Sequence, residues 1–258
     1  MSGRVHPKKA TNTSARTNAA LMSLLDSRRK ARMGARMIPR SIPRAARQIT
    51  LKGVDTDISI VSNISTTNTN AQIFAVNLVQ QGAGSWNRVG RKLHLKSLRL
   101  KGVVQFTINP NATTGSAVLP GYRCIVVWDK QPSGAAIPAF DQIFGITAQD
   151  GTETCPTITC PPRYDNMDRF RIMKDMFYDA PNLALSAIGT GPNTAVNIEM
   201  DEYISLPSLE TVFSGQSTPM TIADISTGAL YVIHRQTSAA GGASSVTFSG
   251  IARIRYTD

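Results

Sequence analysis

The chain has 258 residues, 41% of them hydrophobic and 17% charged, and a formal net charge of +11. No run approaches the ~18 uninterrupted apolar residues of a membrane span, and Leu21–Leu25, followed by Asp26, is too short for a signal-peptide core, so neither membrane insertion nor secretion is expected. Met1–Thr50 holds twelve Lys/Arg against one acid, Asp26, which is the whole +11; the rest holds sixteen of each sign, and no Phe, Tyr or Trp precedes Phe74.

Two regions follow: a cationic arm, residues 1–50, that cannot bury a core, and a neutral body, residues 51–258, that can. The arm opens with Pro7-Lys8-Lys9 in polar sequence that reads as disordered. Asn18–Arg32 has helical spacing at Leu21, Leu24, Leu25 and Arg28, and Gly34 ends it. Pro39 and Pro43 then keep the chain extended around Arg40, Arg44 and Arg47. Cations at this density repel one another unless a polyanion neutralises them. Lys8, Lys9, Arg16, Arg28, Arg29, Lys30, Arg32, Arg36, Arg40, Arg44 and Arg47 are therefore candidate phosphate contacts. With no aromatic side chain to stack on bases, the arm grips backbone rather than sequence. Engaging about ten of these residues on a single strand predicts a log–log salt slope of about −7. As a coil the arm would reach roughly 40 Å. Arg28, Arg29, Lys30 and Arg32 also read as a nuclear import signal, which implies a host import receptor.

From Leu51 the pattern changes to alternation. Strands are predicted over Asp57–Val61, Ile73–Val79, Leu93–Ile108, Tyr122–Trp128, Arg169–Asp179, Val196–Leu206, Ala229–Arg235 and Val246–Tyr256. In the longest, Leu100, Val104, Phe106 and Ile108 share one face while Leu93 and Leu95 keep the opposite phase, so a bulge is expected near Ser97-Leu98. Tyr122–Trp128 is apolar on both phases and reads as buried on both sides. On Val196–Leu206, Glu202 is the polar exception on the inward face. Arg88, Arg91, Lys92, Lys96, Arg99 and Lys101 form a second basic row, either a nucleic-acid surface or an ordinary solvated strand face. Pro138–Phe144 has room for a helical turn inside the long loop 130–167. Eight strands with long connections give an all-β sandwich, whose loops are expected to pack against neighbouring subunits.

Catalytic chemistry has little to stand on. The GxxxxGK[ST], GxSxG and HExxH motifs are absent, and His6, His94 and His234 are scattered. Cys124 reads as a core residue, and Cys155 and Cys160 as reduced loop thiols. Asp165, Asp168 and Asp175 interleave with Arg163, Arg169, Arg171 and Lys174, which favours local ion pairing over a cation site. No enzymatic activity, metal or cofactor is expected.

Several phrases carry a resemblance. They are Asn87-Arg88-Val89-Gly90-Arg91-Lys92-Leu93 with Leu95-Lys96-Ser97-Leu98; Val126-Val127-Trp128-Asp129-Lys130-Gln131-Pro132-Ser133-Gly134-Ala135 with Pro138 and Ile143-Phe144; Asp165-Asn166 with Asp168-Arg169-Phe170; and Thr227-Gly228-Ala229-Leu230-Tyr231. In this order the body, from about residue 50, resembles capsid proteins of small circular, Rep-encoding single-stranded DNA viruses. Circoviruses and geminiviruses are the better-known relatives, and the wording is similar to unclassified environmental members. The resemblance implies a single jelly roll of eight antiparallel strands, a small T=1 icosahedral shell of about sixty copies, and a basic arm facing a packaged single-stranded DNA genome. It also implies a virion protein that passes through the host nucleus and meets a cell-surface receptor. Trp128 would be a core anchor, and Asp129–Ala135 a loop shaped for a neighbour. The zinc-finger-like stretch of geminivirus coats has no counterpart in the Cys/His spacing. Sixty arms would carry on the order of 660 positive charges to a strand with one charge per nucleotide. The rival reading is a cellular, non-sequence-specific nucleic-acid-binding protein, which needs a binding surface on the body.

Overall fold

The structure, a computed structural model, describes residues 51–61, 64, 72–108, 121–132, 136–147, 153–154, 157–180, 194–215, 221–237 and 244–258. These belong to a compact unit, Ile49–Asp258. Its strands are β1 (Lys52–Asp57), β2 (Gln72–Ala75), β3 (Lys92–Ile108), β4 (Gly121–Asp129), β5 (Ile146–Thr147), β6 (Glu153–Thr154), β7 (Phe170–Asp179), β8 (Thr194–Phe213), β9 (Ile225–Thr227), β10 (Ala229–Gln236) and β11 (Ser244–Thr257). A short helix, α1, spans Phe140–Ile143. Among the described residues no helix is long and apolar enough to cross a membrane.

The strands form two main sheets, β1-β11-β3-β8-β9 and β2-β10-β4-β7, with β5-β6 a small third pair. Eight of the nine strands of the two main sheets pair in a nested order, with β9 added at the edge of the first sheet. The first pairs with the last (β1·β11), the second with the second-last (β2·β10), then β3·β8 and β4·β7, all antiparallel. The β11·β3 and β10·β4 seams join these ribbons into the two sheets. A doubled ribbon rolled up in this way is a jelly roll, as the family resemblance implies.

The first sheet is amphipathic. On β3, Leu98, Leu100, Val104 and Phe106 are buried and Arg99, Lys101, Val103 and Gln105 are exposed. Such alternation suits a sheet with one face in the core and one in solvent. The second sheet is buried on both faces: every residue of β4 and of β10 is inaccessible. Tyr122, Cys124, Val126 and Trp128 meet the first sheet, as the stacking of Tyr122 on Phe248 shows. The opposite face is roofed by α1 and the segment around Ile158–Cys160. Arg123 lies over Phe144 at 4.9 Å and Arg235 over Phe140 at 4.5 Å. The described part of the 130–167 connection covers its own sheet, because β4 and β10 present apolar residues on that side too.

Other departures are local. The first strand starts earlier than expected, at Lys52, with Ile58 and Ile60 tied separately to Gly250 and Phe248. The eighth runs through Pro207 to Phe213. Pro207 sits in the register gap between Ser205 and Leu209, where the ladder is already interrupted and a missing N–H costs little. Cys124 is a free, buried thiol. Cys160 is disulfide-bonded, against the expectation of a reduced loop thiol, and Cys155 lies outside the described residues.

Candidate nucleic-acid interface

The bulge in β3 arranges the second basic row. Its register shifts against β8 between Leu95 and Ser97, and β11 shifts at Arg255/Tyr256. A strand of fixed period would send Lys92, His94 and Lys96 to one face and Arg99 and Lys101 to the other. The bulge keeps Leu93, Leu95, Leu98 and Leu100 all buried and all five polar residues on the outer face. Two of these cations are neutralised on the spot. Lys92 pairs with Glu210 at 2.7 Å, and Arg99 holds Asp201 through two hydrogen bonds of 2.8 and 2.6 Å. Arg91 and Lys96 are exposed, with no ion pair among the described residues.

Arg88 does not join this row. Its side chain is fully buried. Nε donates to the Val79 carbonyl at 3.0 Å, Nη1 to the Gly90 carbonyl at 2.8 Å and to Gln81 Oε1 at 3.4 Å, and Nη2 to the Gly215 carbonyl at 3.1 Å. The guanidinium lies 4.1 Å over the Phe213 ring. Burial lowers its pKa. A cation spent in this way cannot also hold a phosphate. It fixes the 79–91 loop against the end of β8. Nothing in the run Arg88-Val89-Gly90-Arg91-Lys92 separates the buried Arg from its exposed neighbours.

Of the acidic cluster, Asp165 pairs locally as expected, Asp175 pairs with an arginine distant in sequence, and Asp168 has no ion pair among the described residues. Asp175 takes a bidentate bond from Arg123 at 2.9 and 2.6 Å, and Arg123 also donates to the Ile158 and Cys160 carbonyls. Arg169 reaches Asp129, which is fully buried, at 2.9 and 2.8 Å. Lys174 and Tyr178 both bond Glu202, so the inward-facing acid of β8 links the two sheets. Arg163 meets Asp165 at 3.4 Å. No group of acids, His and Cys suited to a metal occurs among the described residues.

A feature that the sequence reading passed over lies at the edge of the first sheet. An open groove of about 430 Å³ is lined by Gly53, Val54, Asp55, Trp86, Arg253 and Arg255. Trp86 is 60% exposed. Arg253 holds Asp55 at 2.6 and 2.7 Å, which keeps the carboxyl below its usual range. Arg255 is exposed, with no ion pair among the described residues. One Trp in a loop has no periodicity to betray it, so only the register that brings β1, β11 and the 86 turn together could reveal the groove.

The arm candidates Lys8, Lys9, Arg16, Arg28, Arg29, Lys30, Arg32, Arg36, Arg40, Arg44 and Arg47, the import signal among them, lie outside the described residues.

A family model described as the geminivirus coat protein/nuclear export factor BR1 family matches residues 6–258. No curated protein matches the chain. A solved structure, from the infectious bursal disease virus Gx strain, is 10% identical with a TM-score of 0.21, over 80% of this chain and 33% of that one. The chain thus spans about a third of that protein's length.

Proposed function

The chain belongs to the geminivirus coat protein/nuclear export factor BR1 family, and from that premise we propose that it is a coat protein whose copies close into a small T=1 icosahedral shell around single-stranded DNA. The coat-protein part of that family description fits a structural role in the virion. The observation that carries the packaging reading is the partition of charge. All of the +11 lies in residues 1–50 and none in the jelly roll. In this reading the arm neutralises phosphates through its Lys and Arg side chains, from Lys8 to Arg47. The body tiles the shell, with Arg91, Lys92 and Lys96 as secondary contacts to the same strand. Arg28, Arg29, Lys30 and Arg32 serve nuclear import before assembly.

Electron microscopy of the purified full-length chain, with sequencing of any nuclease-protected nucleic acid, tests the proposal. Closed particles holding single-stranded DNA are expected. Discrete small oligomers at every salt and pH would overturn it. The family description also covers a nuclear export factor. That reading keeps the nucleic-acid grip and drops the shell, so the same micrographs decide between them.

A further inference from the structure

We propose that the groove between Trp86 and Arg255 is a stacking site for an unpaired nucleotide, so that the body holds bases of the strand whose phosphates the arm holds. The inference rests on the packaging reading above and adds to it a contact that the arm, lacking aromatics, cannot make.

Four observations converge on the groove. First, Trp86 is exposed but its backbone is fixed. The Tyr256 hydroxyl donates to the Trp86 carbonyl at 2.5 Å, Lys52 Nζ donates to the Asn87 carbonyl at 2.9 Å, and the Asn87 N–H donates to the Gly84 carbonyl at 3.0 Å. A ring held in place by its loop loses little further freedom when a base covers it. The buried Arg88 is the positioning residue for this loop.

Second, the floor is bare. Gly53 stands opposite Arg255 in the β1·β11 register, and a Cβ there would come within 3.9 Å of Arg255 Cγ and 3.3 Å of the Ile254 carbonyl oxygen. A side chain at position 53 would stand against the aliphatic stem of Arg255.

Third, the charge suits phosphate. Asp55 is already matched by Arg253, which leaves the Arg255 guanidinium as the uncompensated charge of the lining. Aromatic face plus free Arg is the combination that holds single strands without reading sequence. A duplex has its base faces closed by stacking, so the site selects unpaired bases. A second copy of the chain is a poorer occupant, because it would have to bring an acid to Arg255. The chain's own arm is cationic and is repelled.

Fourth, the chain enters the body at this edge, since Lys52 begins β1 and the groove starts one residue later at Gly53.

The test uses the full chain and the fluorescence of Trp86, one of two Trp residues, the other being the buried Trp128. The probes are dT and rA oligonucleotides of about ten residues, an abasic deoxyribose-phosphate of the same length, and a duplex. Both oligonucleotides should quench Trp86; a response to only one assigns the site to DNA or to RNA. The abasic strand should bind without quenching, and the duplex should not quench. Trp86→Leu should weaken the dT oligonucleotide about tenfold and leave the abasic strand unchanged, whereas Trp86→Tyr should hold near wild-type affinity. Arg255→Gln should weaken both strands. Equal dT affinity in Trp86→Leu, or quenching by subunit association without nucleic acid, overturns the site; the second result reassigns Trp86 to a contact between copies. Oligonucleotides that bind with Trp86 unchanged sink this proposal alone. Failure of the full chain to bind any of them sinks the packaging reading as well.

Discussion

Gly102 and Gly250 stand opposite each other in the β3·β11 register, and the Phe248 ring lies across both. A Cβ at Gly102 would come 2.6 Å from Phe248 Cζ and 2.5 Å from the Ser249 carbonyl oxygen; one at Gly250 would come 2.5 Å from the same ring atom and 2.7 Å from the Lys101 oxygen. The bare patch lets the ring lie flat and stack on Tyr122, 6.1 Å between centroids at 13°. Gly102→Ala and Gly250→Ala should each cost about 1–3 kcal/mol in urea denaturation of dissociated subunits. Phe248→Leu added to either should restore part of the loss, since backbone atoms clash there as well as the ring.

Beside that ring sits His234, fully buried, with Nδ1 2.6 Å from the Tyr122 hydroxyl and the Phe248 centroid 4.9 Å away. Nε2 has no hydrogen-bond partner among the described residues. Burial pushes the imidazole down to about 3 from an ordinary 6.5. Between those values the unfolded chain binds a proton that the folded chain refuses, so stability falls as pH drops through that window. The loss, on the order of 4 kcal/mol by pH 3, should appear as a falling urea midpoint below about pH 6. His234→Phe should flatten that slope above pH 4, at a constant cost of about 1–2 kcal/mol for the unpartnered Tyr122 hydroxyl. An unchanged slope would mean that the exposed carboxylates paired with Arg, Asp55 and Asp201, set the acid limit instead.

Arg88 and the neighbouring cations should separate by readout. Arg88→Gln removes the donors of three hydrogen bonds to carbonyls, one buried and two half-buried, and should cost about 2–4 kcal/mol, seen as a lower melting temperature. Arg91→Gln and Lys96→Gln should leave melting within about 0.5 kcal/mol of wild type and weaken nucleic-acid binding at low salt. A thermally silent Arg88→Gln would mean that its loop is anchored without it.

Deletion of residues 1–47 removes twelve Lys/Arg and leaves the neutral body. Particles should still form and lose their nucleic acid, read from the ratio of absorbance at nucleic-acid and protein wavelengths. Full-length binding to a single strand should follow a log–log salt slope of about −7, and the truncated chain a slope of about −1 to −2. Equal packaging by both chains would remove the arm from its assigned role.

Much of the fold was legible because burial leaves a phase in the text. Leu93 and Leu95 on one parity and Leu98 and Leu100 on the other can share a core only across an irregularity, and the bulge lies at Lys96, within two residues of the expected place. Apolar residues on both phases of Tyr122–Trp128, interrupted only by Arg123, signalled a strand covered on both faces. What stayed hidden depends on long-range register. Asp129 finds Arg169 forty residues away, and Asp175 finds Arg123 fifty-two away. Arg88 and Lys92 look alike in the chain, yet one is walled in by carbonyls and the other faces solvent. Trp86 acquires meaning only when Gly53 and Arg255 arrive beside it.

The roof over β4 and β10 has a geometric consequence. With Phe140, Phe144 and Ile158 seated on that surface, a neighbouring protomer cannot lie flat against the second sheet. If copies assemble as proposed, lateral adhesion would be left to the rims of the slab and its loops, and the curvature of the container could be adjusted at residues outside the hydrophobic interior, without repacking a buried side chain.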